Sequence, residues 1–435
     1  MDALVRSQQF DLRLLRLLEQ VAEGDVEPER ERPERLDRRI AAPLLEVRER
    51  RLRDARARGE LGQRQPPLCP QTAEVRPDHV DDRVHTNKTV RIVSYVGTKV
   101  ERDALALARI AAPTGGEEAR RVWLERRLSD PPGELRRDEV GNLIWSLGAP
   151  PYRLVLLAHL DTVFGEDIPH EVVERDGRFV GPGIGDNALA VAVVLNVVEE
   201  LWPELDAPLA VVFTVGEEGH GALRGARHAA ATLPTEQAVA LEGHGLEHVV
   251  ADAVGCVRVR LTVTGPGGHS WHQRGRPSAI HGLVSLLAPL HGVNVGLVSG
   301  GDAVNAIASR AEAVVEKRSL DEAELEQAAA RFAALEAPEG LELQVETVDR
   351  RPAGRLDRDH PLLAAVRAVR AELDLPDRLE NGSTDANAAL AADIPALCLG
   401  CARGGDMHTP HEWIERDSIG GGIAQLEGVL RRLLA

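Results

Sequence analysis

Three short apolar runs constrain the fold of this chain most strongly. They are RLVLLA (153–158), APLAVVFTV (207–215) and QAVAL (237–241). Apolar runs of this length are typical of strands that are buried on both faces of a sheet. Between the first two, GPGIGDNALAVAVVLNVVEELW (181–202) begins as a Gly-rich loop and continues as an apolar helix. This alternation predicts an α/β domain in which a mostly parallel sheet is flanked by helices.

Two of the predicted helices start with capping patterns. TGGE at 114–117 has the form of a capping box, which predicts Thr114 as the N-cap residue and Glu117 as its reciprocal partner. In the Gly-rich loop, Asp186 or Asn187 is expected to cap the helix that follows. Both helices are therefore expected to begin at side-chain caps.

Residues 253–350 have a different pattern from their flanks. CVRVRLTVTG (256–265) alternates apolar and polar side chains with the period of two that a half-exposed strand shows. Counting that strand, the order strand–helix–strand–helix–strand predicts a small α+β open sandwich. The sequence therefore predicts a main domain in two parts, 93–252 and 351–435, with the sandwich inserted between them.

The first 92 residues are rich in Arg and Glu and poor in apolar anchors. Runs such as EPERERPERLDRR favour disordered chain or a segment that is not part of the fold. One hypothesis is that translation begins at a valine-type codon near Val93 or Val96. The alternative is an arm that binds a partner protein.

The charge balance excludes several classes of function. A formal net charge of -17 argues against nucleic-acid binding and against an anionic membrane surface. No run approaches the roughly 18 apolar residues of a membrane span. Four cysteines do not make a disulfide framework in a chain of 435 residues, which favours reduced thiols and a cytoplasmic enzyme. Cys398 and Cys401 are expected to be strand-end thiols, because a metal site of four cysteines would need a second pair.

Each of the three apolar runs leads into a histidine or a carboxylate. These residues are His159 and Asp161, then Glu217 and Glu218, then Glu242. Because ligands bind at the carboxyl ends of strands in open α/β sheets, we expect these groups and Asp186 to converge on one crevice. Carboxylates that lie close together repel unless a cation neutralises them. Taken singly, each residue is as well explained by a solvated turn or a helix cap; their joint placement predicts a metal site.

The ordered motifs of residues 100–435 resemble those of a known family. It is the dinuclear zinc peptidase and deacylase family of carboxypeptidase G, acetylornithine deacetylase, succinyl-diaminopimelate desuccinylase and peptidase T. The matching motifs are His159-Leu-Asp161-Thr-Val163, Gly183-Ile-Gly-Asp186-Asn187, Glu217-Glu218-Gly219, Glu242, Gly265-Pro-Gly-Gly-His269 and His408-Thr-Pro.

The resemblance implies a two-metal site. His159 and Glu242 would hold one Zn²⁺, Glu218 and His408 the other, and Asp186 would bridge both. Imidazole nitrogen and carboxylate oxygen are ligands that Zn²⁺ accepts, although Co²⁺ or Mn²⁺ tolerate the same set.

Catalytic roles follow for two further carboxylates. Asp161 lies on the same strand face as His159, since side chains two apart point the same way, and would accept the second N–H of its ring. The resemblance assigns Glu217 as the general base, which takes a proton from the attacking water and passes it to the leaving amine.

The resemblance also makes the inserted segment a lid or dimerisation domain. His269 would reach the active site of a partner subunit and stabilise the developing oxyanion. Asn305 and Arg318 would contact a substrate carboxylate or carbonyl. These expectations describe a cytoplasmic homodimer that hydrolyses the amide bond of small peptides or N-acyl amino acids, as an exopeptidase or an N-deacylase. The alternative is a non-catalytic protein that binds small molecules or peptides on the same fold.

Overall fold

The computed structural model describes residues 96–435, so the expectations for residues 1–92 lie outside the described part of the chain. Its helices, in chain order, are α1 (96–108), α2 (Glu118–Arg127), α3 (Ala190–Leu201), α4 (Arg224–Thr232), α5 (Ala279–Leu287), α6 (Glu322–Ala333), α7 (Pro361–Glu372), α8 (Ala386–Ala391) and α9 (Ile419–Leu434). A π-helical turn, Ile184–Leu189, precedes α3. Across residues 96–435, every helix is too short or too polar to cross a membrane.

The strands form two large sheets and two small ones. In chain order they are β1 (Glu134–Arg137), β2 (Leu143–Leu147), β3 (Leu154–His159), β4 (Val173–Arg175), β5 (Arg178–Val180), β6 (Leu209–Thr214), β7 (Ala238–Glu242), β8 (Val249–Ala253), β9 (Gly255–Thr264), β10 (Gly268–His269), β11 (Asn294–Gly300), β12 (Ala306–Ile307), β13 (Arg310–Ser319), β14 (Glu342–Arg351), β15 (Gly354–Arg355), β16 (Leu379–Gly382), β17 (Ala396–Gly400), β18 (Gly404–Gly405) and β19 (Trp413–Glu415).

A nine-stranded sheet forms the main layer, in the order β1-β2-β6-β3-β7-β17-β8-β15 with β16 beside β8. Its central strands β6, β3, β7 and β17 are parallel. Strand β3 shows why the apolar runs are continuous. Leu154 and Leu156 pack in the core that contains α3 and α9, whereas Val155 and Leu157 pack in a second core with α4 and α8. Helices thus cover both faces, as the sequence predicts.

The inserted segment forms a separate four-stranded antiparallel sheet, in the order β11-β13-β9-β14. The chain leaves the main sheet after Ala253 and returns to it at Gly354. Helices α5 and α6 pack against this sheet around Leu261 and Val315. The sequence analysis missed strand β11, because its residues NVGLVSG are exposed along their length and show no apolar periodicity.

Both capping predictions were wrong. Helix α2 begins at Glu118 with Glu117 as N-cap residue, and no side chain caps it. The Thr114 hydroxyl donates instead to Oδ2 of Asp161, at 2.9 Å. Asp186 and Asn187 have non-helical backbone angles inside the π-helical turn and cap nothing. In each case the tertiary structure uses the polar side chain elsewhere.

Candidate metal centre

Three parallel strands bring the predicted site residues to one edge of the main sheet. His159 is the last residue of β3 and Glu242 the last of β7. Strand β6 lies beside β3 and ends at Thr214, three residues before Glu217. Because the strands run in the same direction, their polar ends meet where ligands bind in open α/β sheets.

The five residues predicted as metal ligands form two groups that share Asp186. Nε2 of His159 lies 3.0 Å from Oδ1 of Asp186 and 3.5 Å from Oε2 of Glu242. Nε2 of His408 lies 3.0 Å from Oδ2 of Asp186 and 3.4 Å from Oε1 of Glu218. In each group the ligand atoms lie within 4.8 Å of one another. The two oxygens of Asp186 thus face different histidines.

The charges of these groups are those of a site that attracts a cation. Burial and the charge of Asp186 raise the pKa of Glu218 to about 7. Hydrogen bonds to Asp186 and Glu218 raise the pKa of His408 to about 10. Burial raises the pKa of Asp186, but hydrogen bonds from His159 and His408 outweigh it and lower that pKa. A divalent cation would neutralise the carboxylates in place of these protons, so the residues fit a metal with mixed nitrogen and oxygen ligands.

Asp161 is buried behind the cluster and organises its backbone. Its Oδ1 accepts the N–H of Glu217 at 3.0 Å, and its Oδ2 accepts the N–H of Glu218 at 2.9 Å. The acceptor nearest to Nδ1 of His159 is the Asp161 carbonyl oxygen at 3.0 Å; the carboxylate lies at 3.6 Å. Burial raises the pKa of Asp161, but His159 and the two backbone N–H groups outweigh it and lower that pKa. The carboxylate therefore holds the Glu217–Glu218 turn as well as facing the histidine.

Glu217 lies beside the candidate ligands and pairs with the arginine that ends strand β14, one residue beyond the predicted end of the inserted segment. Its carboxylate falls in a close group with His159 and Glu218. Nη1 of Arg351, the last residue of β14, donates to Oε1 of Glu217 at 2.7 Å, and Nη2 donates to its carbonyl oxygen. Burial raises the pKa of Glu217 well above its ordinary value, although the charge of Arg351 opposes this.

The predicted residues of the inserted segment lie in two separate places. His269 and Asn305 are neighbours, since the N–H of Ser270 donates to the Asn305 carbonyl oxygen at 3.0 Å. The His269 ring accepts the N–H of Trp271 and lies 4.7 Å from the ring of His272. Arg318 is exposed near the far end of β13 and pairs with Glu316. One chain therefore does not bring Asn305 and Arg318 together.

A protein-family model identifies the family of the chain. The model of peptidase family M20/M25/M40 matches residues 155–432, which include all five candidate ligands. The chain belongs to this peptidase family. This M20 protein is accordingly a hydrolase of a metal-dependent peptidase and deacetylase family, and its fold is the α/β fold with an insert that the sequence predicts.

Relatives with similar sequences include a deacetylase and a hydrolase. An acetylornithine deacetylase of Vibrio campbellii is 26% identical over 311 residues, which are 64% of this chain and 80% of the relative. A LysW-lysine hydrolase of Deinococcus radiodurans is 26% identical over 341 residues, 72% of this chain and 90% of the relative.

Solved structures of peptidases share the fold. A tripeptidase of Staphylococcus aureus has a TM-score of 0.66 at 19% identity, covering 78% of this chain and 98% of its own. An M20 family metallo-carboxypeptidase of Sulfolobus solfataricus has the same TM-score at 13% identity, covering 77% and 99%. At these identities the likeness concerns the fold of the M20 chain and not its substrate.

Three residues that contact the site were missed by the sequence analysis. Thr114 and Arg351 bind Asp161 and Glu217, and Glu412 accepts the N–H of Asp186 at 2.7 Å. A local signal existed for Glu412 alone, because it follows His408 within one polar loop. The contacts of Thr114 and Arg351 span 47 and 134 residues of sequence, which no local pattern reports.

Cys398 and Cys401 lie apart from the metal groups of the M20 chain. Both are buried free thiols, and no cysteine belongs to the metal-binding groups found within residues 96–435. Burial and the negative charge of Glu242 raise the pKa of both thiols. Cys398 lies in β17 and Cys401 directly follows it, which agrees with the prediction of thiols at the end of a strand.

Proposed function

We propose that this M20 protein is a dinuclear zinc amidohydrolase, which cleaves the amide bond of small peptides or N-acyl amino acids. The observation that carries the proposal is the shared position of Asp186, whose two carboxylate oxygens each lie 3.0 Å from a different histidine. A carboxylate that faces two separate ligand groups can serve both metals of a two-metal site, in which the ions lie about 3.5–4 Å apart.

The ligand sets are those that the sequence predicts. His159 and Glu242 would hold one Zn²⁺, Glu218 and His408 the other, and Asp186 would bridge them. When bound, the metal pair supplies Lewis acidity and lowers the pKa of the attacking water. Asp161 fixes the backbone of Glu217 and Glu218, because each of their N–H groups donates to one of its two oxygens.

Glu217 is proposed as the general base. It takes a proton from water as the water oxygen bonds to the amide carbon. It then gives that proton to the amide nitrogen as the carbon–nitrogen bond breaks. A buried carboxylate with a raised pKa suits both steps, because it is a stronger base than an ordinary carboxylate and, once protonated, can act as an acid. Arg351 holds one of its oxygens, which orients the carboxylate.

The substrate class is supported by the names of relatives. They include an acetylornithine deacetylase and a LysW-lysine hydrolase, and a tripeptidase shares the fold. Deacetylation of an N-acetyl amino acid and cleavage of a peptide both hydrolyse an amide bond, so we propose an amide substrate and treat exopeptidase and N-deacylase activity as two forms of one chemistry.

We also propose that the chain is a homodimer through its inserted segment. Strand β11 lies at the edge of the four-stranded sheet, and Leu297 and Val298 on it are 68% and 63% exposed. An exposed apolar edge strand is a template for pairing with another chain. In the dimer, His269 and Asn305 would reach the partner's substrate, His269 as the oxyanion donor. Arg318, at the opposite end of β13, would contact the substrate in its own subunit.

A hydrolysis screen tests the proposed function. The Zn²⁺-loaded full chain is given dipeptides, tripeptides and N-acyl amino acids, and release of the free amine is measured. We expect turnover of at least one class, its loss on chelation and its return with added Zn²⁺. Binding of two Zn²⁺ per chain without hydrolysis of any of these substrates would support the non-catalytic alternative and contradict the proposal.

A further inference from the structure

Glu412 is a fully buried carboxylate to which the proposed reaction assigns no role. Its Oε1 accepts the N–H groups of Gly185 at 2.8 Å and Asp186 at 2.7 Å, and its Oε2 accepts that of Gly183 at 2.8 Å. Oε1 also lies 2.8 Å from Nε2 of His244. Because a buried carboxylate is costly unless it is hydrogen-bonded, this set of contacts fixes the carboxylate and the loop together.

His244 is wedged between two glycines, which fixes its ring against Glu412. A Cβ on Gly185 would lie 2.2 Å from Nε2 of His244, and a Cβ on Gly404 would lie 2.2 Å from its Nδ1. Neither contact is sterically allowed, so only glycine fits at either position while the ring stays where it is. The positions of the Gly183–Asp186 loop, the His244 ring and the Glu412 carboxylate are therefore determined by close packing as well as by hydrogen bonds.

Asp186 is held at both ends. Its backbone N–H donates to Glu412, while its side-chain oxygens face His159 and His408. His408 and Glu412 belong to the same loop, four residues apart, and the Glu412 carbonyl oxygen also accepts the N–H of Gly181 at 2.8 Å. A movement of Glu412 would shift the Asp186 carboxylate relative to both histidines.

We propose that Glu412, oriented by His244, is a positioning residue that holds Asp186 in the bridging place and thereby sets the spacing of the two metal positions. The inference rests on the proposed bridging role of Asp186. Both oxygens of Glu412 accept a backbone N–H, so an amide in their place would turn an NH₂ group towards a backbone donor. Glu412→Gln keeps the shape of the side chain and breaks the match.

Zn²⁺ binding to the full chain tests this inference without any substrate. Affinity is measured by competition with a chelator of known affinity, and stoichiometry by metal analysis. We expect Glu412→Gln to bind at least one Zn²⁺ about 10–100-fold more weakly than the unaltered chain, because residues that orient metal ligands have effects of that size. The lost occupancy should return at high Zn²⁺ concentration, which a misfolded site would not show.

Glu427→Gln is the matched control. Glu427 is a buried carboxylate on α9 that pairs with Arg431 at 3.1 Å, so its substitution also removes a buried charge from the main domain. We expect it to alter thermal stability but not Zn²⁺ affinity.

A second variant tests the same inference if Glu412→Gln does not fold. Gly185→Ala leaves every charge in place but displaces the His244 ring, and we expect weaker Zn²⁺ binding from it too. Unchanged Zn²⁺ affinity in a folded Glu412→Gln, or in Gly185→Ala where it is the variant that folds, overturns the inference. If the unaltered chain itself fails to bind two Zn²⁺, the proposed function fails instead, so the two failures are distinguishable.

Discussion

The candidate metal-binding residues and the segment around His269 differ in how far their side chains are buried. In the cluster, His159 is 1% exposed and Asp186 6% exposed, and residues of the same chain hold their positions. In the segment around His269, Trp271 is 67% exposed, and the His269 ring contacts only nearby residues among those described. The main domain thus positions most of its candidate ligands by internal packing, although His408 is half exposed, whereas the segment around His269 leaves its side chains exposed.

Glu217→Gln should have the largest effect on catalysis, because it removes the proposed general base. We expect kcat to fall by about 10²–10⁴-fold, the usual contribution of general acid–base catalysis, with Zn²⁺ content unchanged. The measurement is steady-state kinetics beside metal analysis. Glu218→Gln, one residue away, should lose Zn²⁺ instead. Near-normal turnover of Glu217→Gln would contradict its role as base.

His269→Ala tests the proposed role of the exposed segment around His269. The loss of an oxyanion donor is expected to lower kcat by about 10²–10³-fold, without change in Zn²⁺ affinity. His272→Ala is the control, because its ring lies only 4.7 Å from that of His269 in the same exposed loop. Equal losses in the two variants would mean that the loop, and not the His269 imidazole, matters.

Asp161→Asn tests whether the hydrogen bonds of Asp161 position the candidate ligands. The amide keeps the size of the side chain but offers NH₂ where the carboxylate accepts the N–H groups of Glu217 and Glu218. We expect Zn²⁺ affinity to fall by about 10–100-fold. Competition with a chelator measures it, and affinity equal to that of the unaltered chain would show that the hydrogen bonds of Asp161 do not prepare the ligands.

Val298→Lys should have the smallest effect on the metal cluster while testing the proposed dimer. A charged residue on the exposed edge of β11 disfavours strand pairing. We expect the mass in solution to fall from dimer to monomer, by light scattering, and kcat to fall with it because His269 would act in the partner. Val173→Lys, on the exposed strand β4 of the main domain, should remain dimeric. A monomeric unaltered chain with full activity would contradict the dimer proposal.

Much of the fold could be predicted because its signals are local. The apolar runs of β3, β6 and β7 predicted the parallel centre of the sheet, and the polar residues at their ends lie close together, as expected for the carboxyl ends of parallel strands. Strand β11 was not predicted, because an edge strand with glycines and exposed side chains shows neither a continuous apolar run nor an alternation of apolar and polar residues. The capping predictions failed because Thr114 and Asp186 have stronger partners in the folded chain.

The sequence by itself determined which residues could bind metal, since strand ends, loops and the order of the motifs are written in neighbouring residues. Only the tertiary structure decided how those residues are held. Asp186 lies 226 residues from Glu412, and Glu217 lies 134 residues from Arg351, yet each pair is joined by a hydrogen bond. Such contacts form when distant segments pack together and bury polar groups that must then find partners. No local pattern records that requirement, so the sequence could name candidate ligands but could not name the residues that contact and position them.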